Sequence, residues 1–242
     1  TLELLDLNQV MIGTLDSIVQ QWLADSRSPD HPAPVCIEEF VAGRKLRNAM
    51  RRLEAFEDDD FAGLLQHLSG LTRQLSRRYA VSTARRIVDR IVHDQVDLQA
   101  LRTSAGTGVG LLAAVFDAYV TGMRNDGLAD HAHLEQEFYT RLSAVDDPIQ
   151  DLSAGVQHVF VDEYQDTNLL QERIYHCLAE AAFRSNGSFS VVGDEDQALY
   201  RFRGATTELF TSFADRLQES CDRTPRTIYL TQNYRSTTEI VS

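Results

Sequence analysis

The chain has 242 residues, 43% hydrophobic and 24% charged, with a formal net charge of −13 at pH 7. That composition suits a globular protein, long enough for one large domain or two modest ones, each with its own core. No apolar run approaches the ~20 residues that cross a bilayer, and no basic-then-apolar leader follows Thr1. Cys36, Cys177 and Cys221 are scattered and form no CxxC pair, which excludes a disulfide frame or a zinc site and fits reduced thiols in a cytoplasmic protein.

In chain order, Leu7–Thr14 has strand-like apolar content and ends in Gly-Thr. Ser17–Ala24 then shows helical spacing, with Ile18, Trp22 and Leu23 on one side. Ser26–Pro34 carries three prolines without periodicity and reads as a loop. From about Cys36 to Leu142 the pattern is helical, with no strand expected, and the glycine-rich Ser104–Gly110 reads as a flexible loop. After Asp147-Pro148 the character changes. His158–Val161 and Ser188–Val192 read as buried strands ending in acidic residues, and Thr227–Leu230 as a third. Helices are predicted between them at Leu169–Ala182 and Thr207–Gln218. Buried strands alternating with helices imply a parallel sheet, whose ligands gather at the carboxyl ends of the strands.

The net charge argues against nucleic acid as a partner, yet its distribution is uneven. Arg44, Lys45, Arg47, Arg51 and Arg52 form one basic segment; Arg73, Arg77, Arg78, Arg85, Arg86 and Arg90 form another. Each suits a phosphate backbone or, equally, a solvated helical face. His131 and His133 suggest a metal pair, but no third ligand is evident, so a solvent-facing or capping role is expected.

Three blocks carry chemistry. The first is Val159 to Asn168, VFVDEYQDTN, where an apolar strand delivers two adjacent carboxylates. One acid suits Mg²⁺ and the next suits orienting and deprotonating an attacking water. The second is Val191 to Ala205, VVGDEDQALYRFRGA, which joins a strand end to a glutamine and to aromatics interleaved with arginines. Such aromatics suit base stacking, although alternate aromatics are also a common core pattern. The third is Leu230 to Ser236, LTQNYRS, where Tyr234 suits a purine face and Arg235 a terminal phosphate.

In this order the blocks resemble motifs II, III and IV of the UvrD/Rep/PcrA-like superfamily 1 DNA helicases. Ile12 to Ser17, IGTLDS, is similar to the family's motif Ib, and Leu128 to Leu134, LADHAHL, stands where the family often shows LDFDDL. The resemblance implies an α/β fold: a partial RecA-like parallel sheet carrying a large all-helical insertion, subdomain 1B. Residues 1–34 and 148–230 would belong to RecA-like domain 1A, residues 35–147 to 1B, and residues 231–242 to motif IV at the start of the second motor domain.

The resemblance also implies roles. Asp162 is the expected Mg²⁺ ligand and Glu163 the catalytic base. Gln197 senses the γ-phosphate, Tyr234 stacks on adenine, and Arg235 reaches the γ-phosphate. Tyr200, Phe202 and Arg203 meet single-stranded DNA, and Thr14 and Ser17 touch its backbone. ATP and Mg²⁺ are the expected cofactors. The expected partners are single-stranded DNA, single-strand/duplex junctions and the remainder of the helicase, with no membrane involved. Movement 3′ to 5′ is expected, as in most of the family.

The match departs from the family at stated points. Lys45 is the only lysine and lies in Gly43-Arg44-Lys45-Leu46, so no GxxxxGK[ST] phosphate loop is present. Phe202 stands where Trp is usual, and Asp16 where many members have His. The chain therefore reads as a piece of the first motor domain cut short at both ends and inactive toward ATP alone. The rival reading is a non-motor, helicase-like scaffold or DNA-binding subunit, to which intact Asp162, Glu163, Gln197 and Arg235 would be of no use.

Overall fold

A computed structural model describes residues 10–29, 32–71, 75–104, 106–197, 207–232 and 234. Eight helices precede the main strands: α1 (Leu15–Asp25), α2 (Glu39–Arg52), α3 (Asp59–Ser69), α4 (Arg77–His93), α5 (Leu98–Thr103), α6 (Thr107–Asn125), α7 (His131–Leu142) and α8 (Pro148–Ala154). Short strands β1 (Val35–Cys36) and β2 (Leu128–Ala129) pair in parallel among them. Strand β3 (His158–Val161), helix α9 (Leu169–Arg184), strand β4 (Ser188–Val191) and helices α10 (Thr207–Thr211) and α11 (Phe213–Cys221) follow.

Local chemistry explains where the helices begin. The side chains of Asp58, Ser76, Asp97, Asp130, Asp147 and Asn168 each accept a first-turn backbone N–H, capping α3, α4, α5, α7, α8 and α9. Each such cap stabilises its helix by ~1 kcal/mol. Helical spacing then gathers the apolar residues on one face. In α4 these are Val81, Ala84, Val88 and Ile91; in α6 they are Leu112, Val115, Phe116, Tyr119 and Met123. They join one continuous cluster with Leu46 and Met50 of α2, Phe61 and Leu65 of α3, Phe138 of α7 and Ile174 of α9. Trp22 of α1 meets Phe138 edge-on, with ring centroids 5.8 Å apart.

The structure corrects several sequence expectations. Val10–Thr14 forms no strand, and Val10, Met11 and Ile12 are exposed; residues 1–9 of that expectation lie outside the described residues. The helical stretch does contain strands, because β1 and β2 need only two residues each to clip the chain before α2 to the chain before α7. Most of the glycine-rich segment is helical: Gly106 caps α6, which starts at Thr107. A Cβ on Gly108 would lie 2.5 Å from the Asp60 carbonyl oxygen, so glycine there allows α6 to cross the start of α3 closely.

The β3/β4 pair is less buried than expected. Val161 is buried and Val159 packs on the core, but Phe160 on the other face is 68% exposed. Thr227–Leu230 forms no strand and is exposed. β-propensity needs a neighbouring strand to take up the backbone N–H and C=O groups, and among the described residues none does so there.

One buried acid on α7 sets a pH dependence. Glu135 is almost fully buried, and Gln171 Nε2 donates to its Oε1 at 2.8 Å. Its Oε2 finds no hydrogen-bond partner and faces His93 Nε2 at 3.7 Å. Burial pushes this carboxyl up to about 8; the Gln171 bond opposes that rise and the Asp16 charge adds to it. The folded value is above the ordinary ~4.3, so the proton's stabilising contribution is complete below ~4.3 and lost as pH rises toward that folded value. Burial lowers His93, which opposes this trend only below the ordinary histidine value of ~6.5. Glu135→Gln is therefore expected to stabilise the fold, with a gain over wild type that grows by about 2 kcal/mol between pH ~6.5 and ~8. Urea unfolding at several pH values checks this. A gain that stays flat over that window contradicts a protonated Glu135.

Candidate nucleotide and DNA site

The parallel pairing of β3 and β4, with Val161 beside Val191, makes both strands end on the same side. β3 delivers Asp162 and Glu163 there, and β4 delivers Val192, Gly193 and Asp194. Backbone bonds hold the two exits together: the Val192 N–H donates to the Val161 carbonyl at 2.8 Å, and the Tyr164 N–H to the Val192 carbonyl at 2.9 Å. Ends of parallel strands are where α/β proteins collect ligands.

Within Asp162–Asn168 the chemistry divides cleanly between solvent and core. Asp162 and Glu163 are exposed, whereas Tyr164, Gln165, Thr167 and Asn168 are buried. Asp162 Oδ1 accepts the Glu163 N–H at 2.9 Å. Glu163 itself adopts a left-handed backbone, φ 51° and ψ 41°, which turns the chain off the strand into a short 3₁₀ turn at Tyr164–Asp166. Tyr164 anchors that turn. Its ring lies 5.1 Å from Phe213 and 6.1 Å from Tyr175, and its hydroxyl donates to Glu172 at 3.3 Å. Arg216 Nε holds the buried Glu172 carboxylate at 2.7 and 2.8 Å. Asn168 and Gln171 close a capping box at the start of α9.

Side chains then link the two strand ends. Gln165 Nε2 donates to Glu163 Oε2 at 2.6 Å, and the Asp194 N–H donates to Gln165 Oε1 at 3.0 Å. Gln197, exposed in the 3₁₀ turn Glu195–Gln197, donates through Nε2 to Asp194 Oδ2 at 2.5 Å. A continuous run of hydrogen bonds therefore joins Glu163 to Gln197 through Gln165 and Asp194. Nothing in the sequence singles out Gln165 beyond its place inside the acid-bearing string.

Other expected site residues stand apart from that run. Thr14 caps α1, its Oγ1 accepting the Ser17 N–H at 3.3 Å, while Ser17 Oγ donates to the Thr14 carbonyl at 2.7 Å. Both are exposed. Asp16 Oδ1 lies 3.3 Å from His131 Nδ1, so the substituted position faces a histidine of α7. Tyr234 is exposed and its hydroxyl donates to Gln232 Oε1 at 2.7 Å. Tyr200, Phe202, Arg203 and Arg235 lie outside the described residues.

The basic segments differ from each other. On α2, Arg44, Arg47, Arg51 and Arg52 are exposed, and Lys45 pairs with Asp126. On α4, Arg85 is turned inward to Asp89 and Asp130, and Arg77 and Arg90 pair with Glu57 and Asp94 at 2.9 and 2.6 Å. The second segment is thus largely neutralised by acids of this chain. His131 and His133 hold no metal pair either: His133 Nδ1 lies 2.7 Å from the buried Asp130, and its ring centroid lies 5.8 Å from those of Phe116 and Tyr119.

Among the described residues no group of three or more His, Cys, Asp or Glu is placed to enclose a metal ion. A single exposed carboxylate at a strand end still fits Mg²⁺, which keeps most of its waters and binds through one or two protein acids plus nucleotide phosphates. No helix of the described residues is long and apolar enough to cross a membrane.

Helices packed on parallel strands, with carboxylates at the strand ends, are compatible with an α/β nucleotide-using domain. Residues 2–218 match the family described as the UvrD/REP helicase N-terminal domain. An ATP-dependent DNA helicase UvrD1 of Mycobacterium tuberculosis (strain ATCC 25618 / H37Rv) is 31% identical, over 82% of this chain and 27% of the relative. A large ATP-dependent helicase/nuclease protein of Staphylococcus aureus (strain JH9) is 24% identical, over 88% of this chain and 19% of the relative. The chain belongs to the UvrD/REP helicase family. It spans about a fifth to a quarter of the length of these curated relatives.

Proposed function

We propose that this chain supplies part of the first motor domain of an ATP-dependent DNA helicase that couples ATP hydrolysis to 3′-to-5′ movement on single-stranded DNA and to duplex unwinding. The observation that carries the reading is the hydrogen-bonded run from Glu163 through Gln165 and Asp194 to Gln197, at the shared ends of two parallel strands. The names of the relatives, both ATP-dependent helicases, support it.

In this reading residues 1–34 and 148–230 form RecA-like domain 1A, residues 35–147 form helical subdomain 1B, and residues 231–242 begin the second motor domain. Asp162 holds the metal, and Mg²⁺ on the β- and γ-phosphates supplies charge neutralisation. Glu163 orients the attacking water and takes its proton. Gln197 and Arg235 approach the γ-phosphate, with Arg235 offering a planar guanidinium to its oxygens. Tyr234 stacks on the adenine. Tyr200 and Phe202 stack on unpaired bases, each stack worth ~1–3 kcal/mol, and Arg203, Thr14 and Ser17 hold phosphates. A phosphate loop is contributed by a segment outside these 242 residues, and single-strand/duplex junctions are the substrate.

Direction gives a sharp test. With the full-length protein and ATP, duplexes bearing a 3′ single-stranded tail are expected to be unwound, and those bearing only a 5′ tail or blunt ends are not. Unwinding confined to 5′-tailed duplexes contradicts the direction, and failure on every tailed duplex contradicts the helicase reading.

A further inference from the structure

We infer that Gln165 is a positioning residue that ties the base Glu163 to the segment sensing phosphate and DNA, and so carries the state of one to the other. This rests on the helicase reading above.

Gln165 is almost completely buried, yet it spends both ends of its amide on the site. The NH₂ end reaches the Glu163 carboxylate at 2.6 Å and the carbonyl end receives the Asp194 N–H at 3.0 Å. Only one orientation satisfies both partners. Flipped, the amide would set its nitrogen against a backbone N–H and its oxygen against a carboxylate, two repulsive contacts in a buried place. The amide therefore fixes where the Glu163 oxygen sits relative to the end of β4.

The surroundings are built to keep it so. A Cβ on Gly193 would lie 2.6 Å from Gln165 Oε1 and 2.9 Å from the Phe210 ring, so glycine is what lets the β4 exit come this close. Asp194, which receives Gln197 on its side chain and gives its N–H to Gln165, stands between the phosphate sensor and the amide. A shift of Gln197 on meeting phosphate or DNA moves Asp194, and the Gln165 amide passes that displacement to Glu163. Misplacing a catalytic group by about an ångström is enough to cost ~100-fold in rate.

Two variants of the full-length protein test this, each read per folded molecule. Gln165→Met removes both hydrogen bonds while filling the space. Gln165→Glu keeps the acceptor for the Asp194 N–H but sets a second carboxylate against Glu163. Both are expected to lower kcat for ATP about tenfold to a hundredfold with KM for ATP near wild type, and to shrink the ratio of DNA-stimulated to basal turnover severalfold. A role in packing alone would lower the melting temperature of Gln165→Met and leave that ratio unchanged, which overturns the inference. If Gln165→Met does not fold, Gln165→Glu decides alone: turnover and DNA stimulation equal to wild type also overturn it. A wild-type protein without any ATP turnover instead refutes the helicase reading itself, so the two failures are distinguishable.

Discussion

Glu163→Gln in the full-length protein is expected to reduce DNA-stimulated ATP turnover by ~10²–10⁴-fold while nucleotide affinity stays close to wild type. The substitution isolates the proton-accepting role. Glu163 is exposed, and the bond to its carboxylate comes from Gln165 Nε2, which an amide oxygen at the same place can still receive. The backbone turn at φ 51° is unaffected by exchanging one straight side chain for another of equal length. Packing and the link to Asp194 therefore survive, and what is lost is the group that takes a proton from water. Steady-state ATPase assays with and without single-stranded DNA, alongside nucleotide titration, check this. Turnover within a fewfold of wild type would remove Glu163 from the role of base.

The largest effect on stability is expected from Asp130→Ala. Asp130 is 1% exposed and caps α7 through the His133 N–H at 2.9 Å. The same carboxylate receives the Tyr119 hydroxyl at 2.5 Å, lies 2.7 Å from His133 Nδ1 and pairs with Arg85 at 3.1 Å. Burial alone would raise this carboxyl, but the His133 bond and charge, Arg85 and the Tyr119 hydroxyl outweigh it and hold it well below the usual carboxylate range. Alanine leaves Tyr119 and Arg85 without their shared acceptor inside the helical core. Removing one partner of a buried charged cluster costs ~3–5 kcal/mol, equivalent to a fall of roughly 10 °C in Tm for a chain of this size. Because the folded value is depressed, the contribution of Asp130 is present above pH ~4 and lost as pH falls below it. The deficit of Asp130→Ala should therefore narrow in acid. A melting temperature within ~2 °C of wild type at pH 7 would contradict this role.

What the sequence made legible was chemistry carried on contiguous residues. Asp162 and Glu163 could be placed at a strand end because four apolar residues, two acids and a helix cap follow one another without a gap. Gln165 could not, since its role depends on the Asp194 N–H, a partner 29 residues away that only the parallel register of β3 and β4 brings near. The buried acids were hidden for a related reason. Asp130, Glu135 and Glu172 look like surface residues in composition, and only tertiary packing supplies the histidine, arginine, tyrosine and glutamine that let them stay inside. Local propensity misled where pairing or packing decides the outcome. Thr227–Leu230 has strand residues but no described neighbour, β1 and β2 are too short to leave a pattern, and the glycines of Ser104–Gly110 serve a close helix crossing at Gly108.

The central claim is that the acid pair and the glutamine run belong to a DNA-driven ATPase. The measurement that addresses it most directly is ATP hydrolysis by the full-length protein with Mg²⁺, compared with and without single-stranded DNA. Turnover that is slow alone and rises strongly with single-stranded DNA is the expected result. Tight binding of single-stranded DNA with no ATP hydrolysis in either condition would contradict it and identify a scaffold that holds DNA without moving on it.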